Sequence, residues 1–259
     1  MTLNAQLVEM ALMPRPVRYY ETVESTNQAA AEWLQAGAAH GAAVVADEQT
    51  AGRGRQGRTW HTPPGVAVAV SVVLRDVLPE HLAAVNAAAT LAVTSTLQIL
   101  QIADVSIKWA NDVLVNGRKI SGVLPEPIWN GDTLTGVVLG MGVNVRNDFS
   151  GTPLAEIATS IEACKQEPVD RAAVLAVLLF ELDKYLAQLG KPQLWEAYRA
   201  QMTMLGEEVT LAAGDERLTG RAVDVTEEGA LLVEVEGELV QAFAGDVTVV
   251  RWGETDDGH

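Results

Sequence analysis

Apolar and polar positions along this chain recur with changing periods, and the changes mark its organisation. Between Gly65 and Leu74, Val66, Val68, Val70, Val72 and Val73 give the β-branched alternation of a strand after the Pro63-Pro64 turn. Pro79 to Leu100 reads as one long helix. Upstream, Val17 to Val23 and Gly41 to Ala46 read as strands around a helix over Gln28 to Leu34, with Ser25-Thr26-Asn27 as its cap and Gly37 as its stop. Val105 to Trp109 and Val113 to Val115 are strands on either side of an Ala110-Asn111-Asp112 turn. The Asn116-Gly117 pair between extended runs is a strong hairpin signal, so Arg118 to Leu124 folds back beside Val113 to Val115. Thr133 to Val145 adds a strand that closes in Gly140-Met141-Gly142-Val143-Asn144.

Helical spacing returns over Arg171 to Leu189 and Leu194 to Leu205. After Gly206 the runs shorten to strands at Glu208 to Leu211, Leu218 to Val225, Ala230 to Glu234, Leu239 to Ala242 and Val247 to Arg251, separated by turns at Ala213-Gly214-Asp215, Glu228-Gly229 and Glu236-Gly237. Such spacing predicts a small barrel. The chain therefore divides into a lead-in over 1–16, a main domain over 17–205, a barrel over 206–252 and a tail over 253–259, an α+β protein.

Composition narrows the function. A formal net charge of -16 over 259 residues argues against general binding to nucleic acid or an anionic membrane. The single cysteine, Cys164, excludes an intramolecular disulfide, and the four histidines show no metal-binding spacing, so no structural metal is expected. The N-terminus has no basic start followed by an apolar block, and Asn86 and Glu181-Leu182-Asp183-Lys184 break the most apolar segments; the expected location is the cytoplasm.

Against that acidic background, Gly52-Arg53-Gly54-Arg55-Gln56-Gly57-Arg58 places three arginines among three glycines. Glycine admits close backbone approach, and arginine offers a planar fork of donors to phosphate or carboxylate, so this loop reads as an anion clamp. Lys108-Trp109-Ala110-Asn111-Asp112 sets a cation, an amide and a carboxylate at a strand end. Lys119 lies on the return arm of the hairpin, and Gly140 to Asn144 lets backbone approach a flat ligand beside an amide. Cations converging from separate segments suit the attack of a carboxylate on the α-phosphate of ATP, where they offset repulsion between two anions.

Taken in order, Ser25-Thr26-Asn27, Gln49 with Gly52 to Trp60, Lys108 to Asp112, Gly117-Arg118-Lys119-Ile120-Ser121-Gly122 and Gly140 to Asn144 resemble the biotin protein ligases. The resemblance runs from about residue 17 to 252. It implies a mixed β-sheet packed with helices, of the class II synthetase-like type shared by biotin and lipoyl ligases, followed by an SH3-like barrel. It also implies two steps: biotin and MgATP give biotinyl-5'-AMP and pyrophosphate, and a lysine of a biotin carboxyl carrier protein then takes the biotinyl group. On matching positions, Ser25, Thr26, Asn27, Gln49, Arg53 and Gly54 hold the biotin head, and Arg55 and Lys119 bind the carboxylate and α-phosphate. Trp60, Asn111 and Asn144 hold the adenylate, Lys108 stands near the phosphates, and Asp112 orients or deprotonates the incoming lysine. The loop is expected to order over bound ligand.

Two departures from the family pattern stand out. Ala110 replaces a usual proline, which should loosen the turn. Pro125 and Pro127 flank Glu126, so that strand should end early or lie at an edge, and Glu126 is left outside the site. Taken singly, Ser25-Thr26-Asn27 also reads as a helix cap, Asn111 and Asp112 as turn residues, Lys108 and Lys119 as solvated lysines, and Trp60 as packing. Three rival functions stay in view. A lipoate or octanoate ligase would share the fold, but its Arg-Arg-x-x-Gly-Gly-Gly loop and His-Asp step are missing. A DNA-binding repressor is disfavoured by charge and by the roughly 16 residues before the first strand, and a non-catalytic biotin sink is the third. Pairing through an exposed strand, common in the resembling family, makes a homodimer an option.

Overall fold

The computed structural model describes residues 3–213, 216–243 and 245–249. The Gly214-Asp215 turn, the end of the last expected strand and the 253–259 tail lie outside the described residues. In chain order the elements are α1 (Ala5–Leu12), β1 (Val17–Val23), α2 (Thr26–Gln35), β2 (Ala43–Gln49), β3 (Ala67–Leu74), α3 (Leu82–Ile99), β4 (Val105–Lys108), β5 (Asp112–Val115), β6 (Arg118–Asn130) and β7 (Thr133–Asn144). They are followed by α4 (Ile161–Lys165), α5 (Arg171–Leu186), α6 (Pro192–Ala200), β8 (Glu208–Ala213), β9 (Glu216–Val225), β10 (Leu231–Val235), β11 (Glu238–Ala242) and β12 (Asp246–Val249).

The first seven strands form one mixed sheet in the order β1-β2-β3-β7-β6-β5-β4. Only β1 and β2 run parallel, because α2 crosses between them; the remaining pairs are antiparallel. Period-two alternation sorts β3 between two layers. Val68, Val70, Val72 and Leu74 face a core shared with α3 and α5, while Val73 joins the smaller α2 layer with Ala30, Leu34, Val44 and Val138. Each such aliphatic side chain contributes about 1.5–3 kcal/mol on burial. Under this sheet Arg171, fully buried, donates to Asp47 at 2.6 Å and to the Ala67 carbonyl at 3.0 Å. Pro79–Ile99 is long and apolar enough to cross a membrane, yet 67% of its apolar 18-residue window is buried as the core helix.

Several expectations need correcting. The lead-in contains a helix: Asn4 caps α1 by accepting from the Leu7 amide at 3.0 Å, and Val8 and Leu12 pack into the main core. The second helix of the pair after residue 170 runs Pro192–Ala200, starting at a proline suited to a first turn. Strand β6 does not end at Pro125. It stays paired with β7 to Asn130, through a register shift between Ile128 and Trp129, with Pro125 opposite Leu139 and Pro127 opposite Val137. The strand tolerates both prolines because β5 pairs with it only as far as Gly122, leaving one side as an edge where a missing N–H breaks no ladder bond.

After residue 205 the chain builds a five-stranded antiparallel sheet in the order β11-β10-β9-β8-β12. Its inner residues Val209, Leu211, Ala222, Val233 and Val247 share one core with Ile107, Trp109, Trp195 and Tyr198 of the main domain. Trp109 also donates through its indole Nε1 to the Gly229 carbonyl at 3.0 Å, tying the Lys108–Asp112 segment to the small domain.

Candidate active site

The segment after β1, the end of β2, the first half of β6 and the end of β7 enclose a cavity of about 290 Å³. One wall comes from the start of α2. Ser25 occupies the N-cap position but its side chain makes no capping bond, and Ser25, Thr26 and Asn27 are all buried. The tripeptide thus faces inward rather than serving as a simple cap. Thr26 donates through its amide (2.8 Å) and its hydroxyl (3.0 Å) to Gln49 Oε1, and Gln49 Nε2 donates to Thr62 Oγ1 at 3.1 Å. Asn27 Nδ2 donates to Glu126 Oε2 at 2.5 Å and to the Leu124 carbonyl at 3.3 Å, while Ser71 Oγ reaches Asn27 Oδ1 at 2.6 Å and Thr26 Oγ1 at 2.8 Å.

Two glycines of β7 make the floor. A Cβ at Gly140 would strike the Asn27 amide, with Cγ at 2.9 Å and Nδ2 at 3.0 Å. A Cβ at Gly142 would strike the Trp60 indole, at 2.6 Å from Nε1 and 2.7 Å from Cζ2. The flat group that the Gly140–Asn144 backbone meets is therefore the chain's own Trp60. Among the described residues its buried Nε1 has no hydrogen-bond partner.

Over this floor runs the glycine-arginine loop, folded into a narrow hairpin by Gly54 N–H to the Arg58 carbonyl (2.7 Å) and Trp60 N–H to the Gly52 carbonyl (2.9 Å). Its three arginines diverge. Arg53 approaches Glu126 at 3.4 Å, Arg55 donates to Asn111 Oδ1 at 3.2 Å, and Arg58 pairs with Asp246 of β12 at 2.7 Å. Asn111 is itself held by donation from Nδ2 to the Val123 carbonyl at 2.6 Å. On the hairpin, Lys119 pairs with Asp112 at 2.8 Å and lies 5.7 Å over the Trp60 ring. Asn144 lines the cavity and donates to the Thr159 carbonyl at 3.1 Å.

Arg55, Asn111, Asp112, Lys119, Trp60 and Asn144 thus line the same cavity as Ser25, Thr26, Asn27, Gln49, Arg53 and Gly54, with Asn27 against Gly140 and Trp60 against Gly142 along β7. Lys108 does not join them: it sits at the end of β4, opposite Asp112 in register, and is absent from the cavity lining. The Ala110 turn is also firmer than its missing proline implied. The Ala110 carbonyl accepts from Asn86 Nδ2 (2.6 Å) and Tyr198 OH (2.7 Å). Burial pushes the Tyr198 phenol well above its ordinary value, so it stays a donor.

Sequence reasoning passed over Ser71 and Thr62, and it left Glu126 outside the site. Ser71 had a signal, as the lone polar residue in the Ala67–Leu74 run. It also passed over an apolar lip of Phe149, Leu154 and Ile157 at the cavity mouth, held beside Lys119 by Lys119 N–H to the Ile157 carbonyl (2.8 Å) and Thr159 N–H to the Lys119 carbonyl (2.9 Å). No motif marks that segment.

Comparison with known proteins agrees with this geometry. Residues 19–144 match the model of the biotin/lipoate A/B protein ligase family, and residues 204–250 match that of the biotin protein ligase C-terminal domain. The biotin–(acetyl-CoA-carboxylase) ligase of Mycobacterium tuberculosis is 32% identical over 246 residues, covering 90% of each chain. The bifunctional ligase/repressor BirA of Bacillus subtilis is 32% identical, over 91% of this chain and 74% of that protein. Among solved structures, the Aquifex aeolicus biotin protein ligase in complex with biotin and ATP is 28% identical and superposes with a TM-score of 0.78, covering 91% of this chain and 99% of that one. The chain belongs to the biotin protein ligase family.

Proposed function

We propose that this protein activates biotin with MgATP to biotinyl-5'-AMP, releasing pyrophosphate, and then passes the biotinyl group to a lysine of a biotin carboxyl carrier protein. The observation that carries this reading is the polarity of one cavity: a hydrogen-bonding wall from Ser25 to Asn27 and Gln49 at one end, and the cations Arg55 and Lys119 at the other. A small acid with a polar ring head and a carboxylate tail matches both ends. A plain octanoyl chain or a dithiolane would leave the wall's groups against apolar surface, at a cost of about 1–3 kcal/mol for each one left unpaired.

In the first step Arg55 and Lys119 offset repulsion between the biotin carboxylate and the α-phosphate and then stabilise charge on the pentacoordinate phosphorus. One carboxylate oxygen attacks phosphorus as the bond to pyrophosphate breaks. Asn111 holds Arg55 in place, and Asp112 does the same for Lys119. Magnesium enters with the nucleotide. In the second step the ε-amine of the carrier lysine attacks the acyl carbon and AMP leaves; Asp112, the carboxylate nearest Lys119, takes up the lysine proton. The apolar lip around Leu154 and Ile157 limits access of water to the mixed anhydride. The test is to incubate the protein with biotin, MgATP and an isolated carrier domain and weigh the carrier by mass spectrometry. Addition of one biotinyl group at one lysine is expected; an unmodified carrier beside accumulated adenylate would leave only a biotin sink.

A further inference from the structure

Behind the head-group wall, four oxygens stand in a row: Asn27 Oδ1, Ser71 Oγ, Thr26 Oγ1 and Gln49 Oε1, spaced by 2.6, 2.8 and 3.0 Å. Both ends of the row accept only. Asn27 is turned by its amide nitrogen, which donates to the Leu124 carbonyl and to Glu126. Gln49 is turned by the Thr26 amide, which donates to Oε1, while its own Nε2 donates to Thr62. Amide oxygens carry no proton, and each hydroxyl carries one. Three gaps are therefore served by two protons, and Ser71, which is fully buried, has two acceptors for its single O–H.

We propose that this shortage sets the polarity of the pocket. Ser71 commits its proton to Asn27, the shorter contact, and Thr26 commits its own to Gln49. Thr26 Oγ1 then faces the cavity purely as an acceptor, beside a Ser71 lone pair at 2.8 Å that deepens the negative potential there. A head group with a ring N–H, as in a cyclic urea, relieves that potential, and one without it does not. Ser71 and Asn27 are thus positioning residues that select an N–H-bearing head without contributing a free polar atom to it, and Glu126 fixes the direction of the row by holding the Asn27 amide. This inference rests on the biotin reading given above.

The experiment compares kcat/KM in ATP–pyrophosphate exchange for biotin and for its cyclic carbonate analogue, in which oxygen replaces both ring N–H groups. The full-length protein is used throughout, with circular dichroism to establish that each variant is folded. Asn27→Leu removes the end acceptor at similar volume, so Ser71 turns its proton to Thr26, and preference for biotin over the carbonate falls about five- to tenfold. Adding Ser71→Ala to Asn27→Leu removes that proton again, and the preference recovers. Recovery in the double variant distinguishes proton direction from simple disorder of the wall. The proposal is overturned by an unchanged preference in Asn27→Leu, or by a double variant no more selective than the single one. Wild-type protein that exchanges with neither compound would overturn the ligase reading, and this proposal with it.

Discussion

Gly142→Ala tests whether the floor under Trp60 governs the chemistry above it. The new Cβ would lie 2.6 Å from Trp60 Nε1 and 2.7 Å from Cζ2, against ordinary contact beyond 3.4 Å, so the ring must move by close to 1 Å. Trp60 closes the loop through its bond to the Gly52 carbonyl and lies beneath Lys119, so the shift displaces both. Overpacking on this scale costs about 1–3 kcal/mol. A loss of the same size in transition-state stabilisation, at about 1.4 kcal/mol per decade, lowers kcat/KM for ATP–pyrophosphate exchange by about five- to a hundredfold. Gly136→Ala serves as control, since its Cβ would meet Leu34 Cδ1 in the α2 layer at 2.6 Å and the backbone carbonyl of Leu74 in β3 at 2.7 Å. The control should lower the urea midpoint with little change in kcat/KM of the folded fraction. Wild-type exchange by Gly142→Ala, or equal loss in both variants, would refute the coupling of floor to site.

Asp112→Asn should slow transfer to the carrier more than adenylate formation, measured by single-turnover kinetics of each half-reaction; equal slowing would reduce Asp112 to the partner of Lys119. Asp47→Ala leaves the Arg171 guanidinium buried without its counter-charge and should cost about 3–5 kcal/mol in urea unfolding; a loss below about 1 kcal/mol would show the pair to be dispensable. Tyr198 ionises less readily in the folded protein, so the unfolded chain gives up this proton first. The corresponding stability is full below pH about 10 and is lost as pH rises beyond it, and Tyr198→Phe should flatten that part of the stability–pH curve.

Local rules made much of the architecture readable. The Val66–Val73 alternation, the Asn116-Gly117 turn and the short strands after Gly206 appear as β3, the β5–β6 hairpin and the small domain. Where local and non-local forces compete, the sequence was less informative. Pro125 and Pro127 are poor strand residues by any local measure, and what admits them is the early end of β5, a property of a neighbour. Helix α1 is short, and its stability comes from docking Val8 and Leu12 rather than from its own pattern. In the site, the motifs named residues but not partners. Glu126 gained a role only when β6 continued far enough to set it beside Asn27 and Arg53, and Arg58 only when β12 brought Asp246 to the loop. Lys108 shows the converse, a motif residue that pairs opposite Asp112 yet is absent from the cavity lining.

The most direct test of the central claim is ATP–pyrophosphate exchange measured with biotin, lipoate and octanoate in parallel, under saturating MgATP. Exchange supported by biotin alone, and abolished by Lys119→Ala, is the expected result. Exchange supported by lipoate or octanoate but not by biotin would contradict the assignment of the polar wall to a biotin head group.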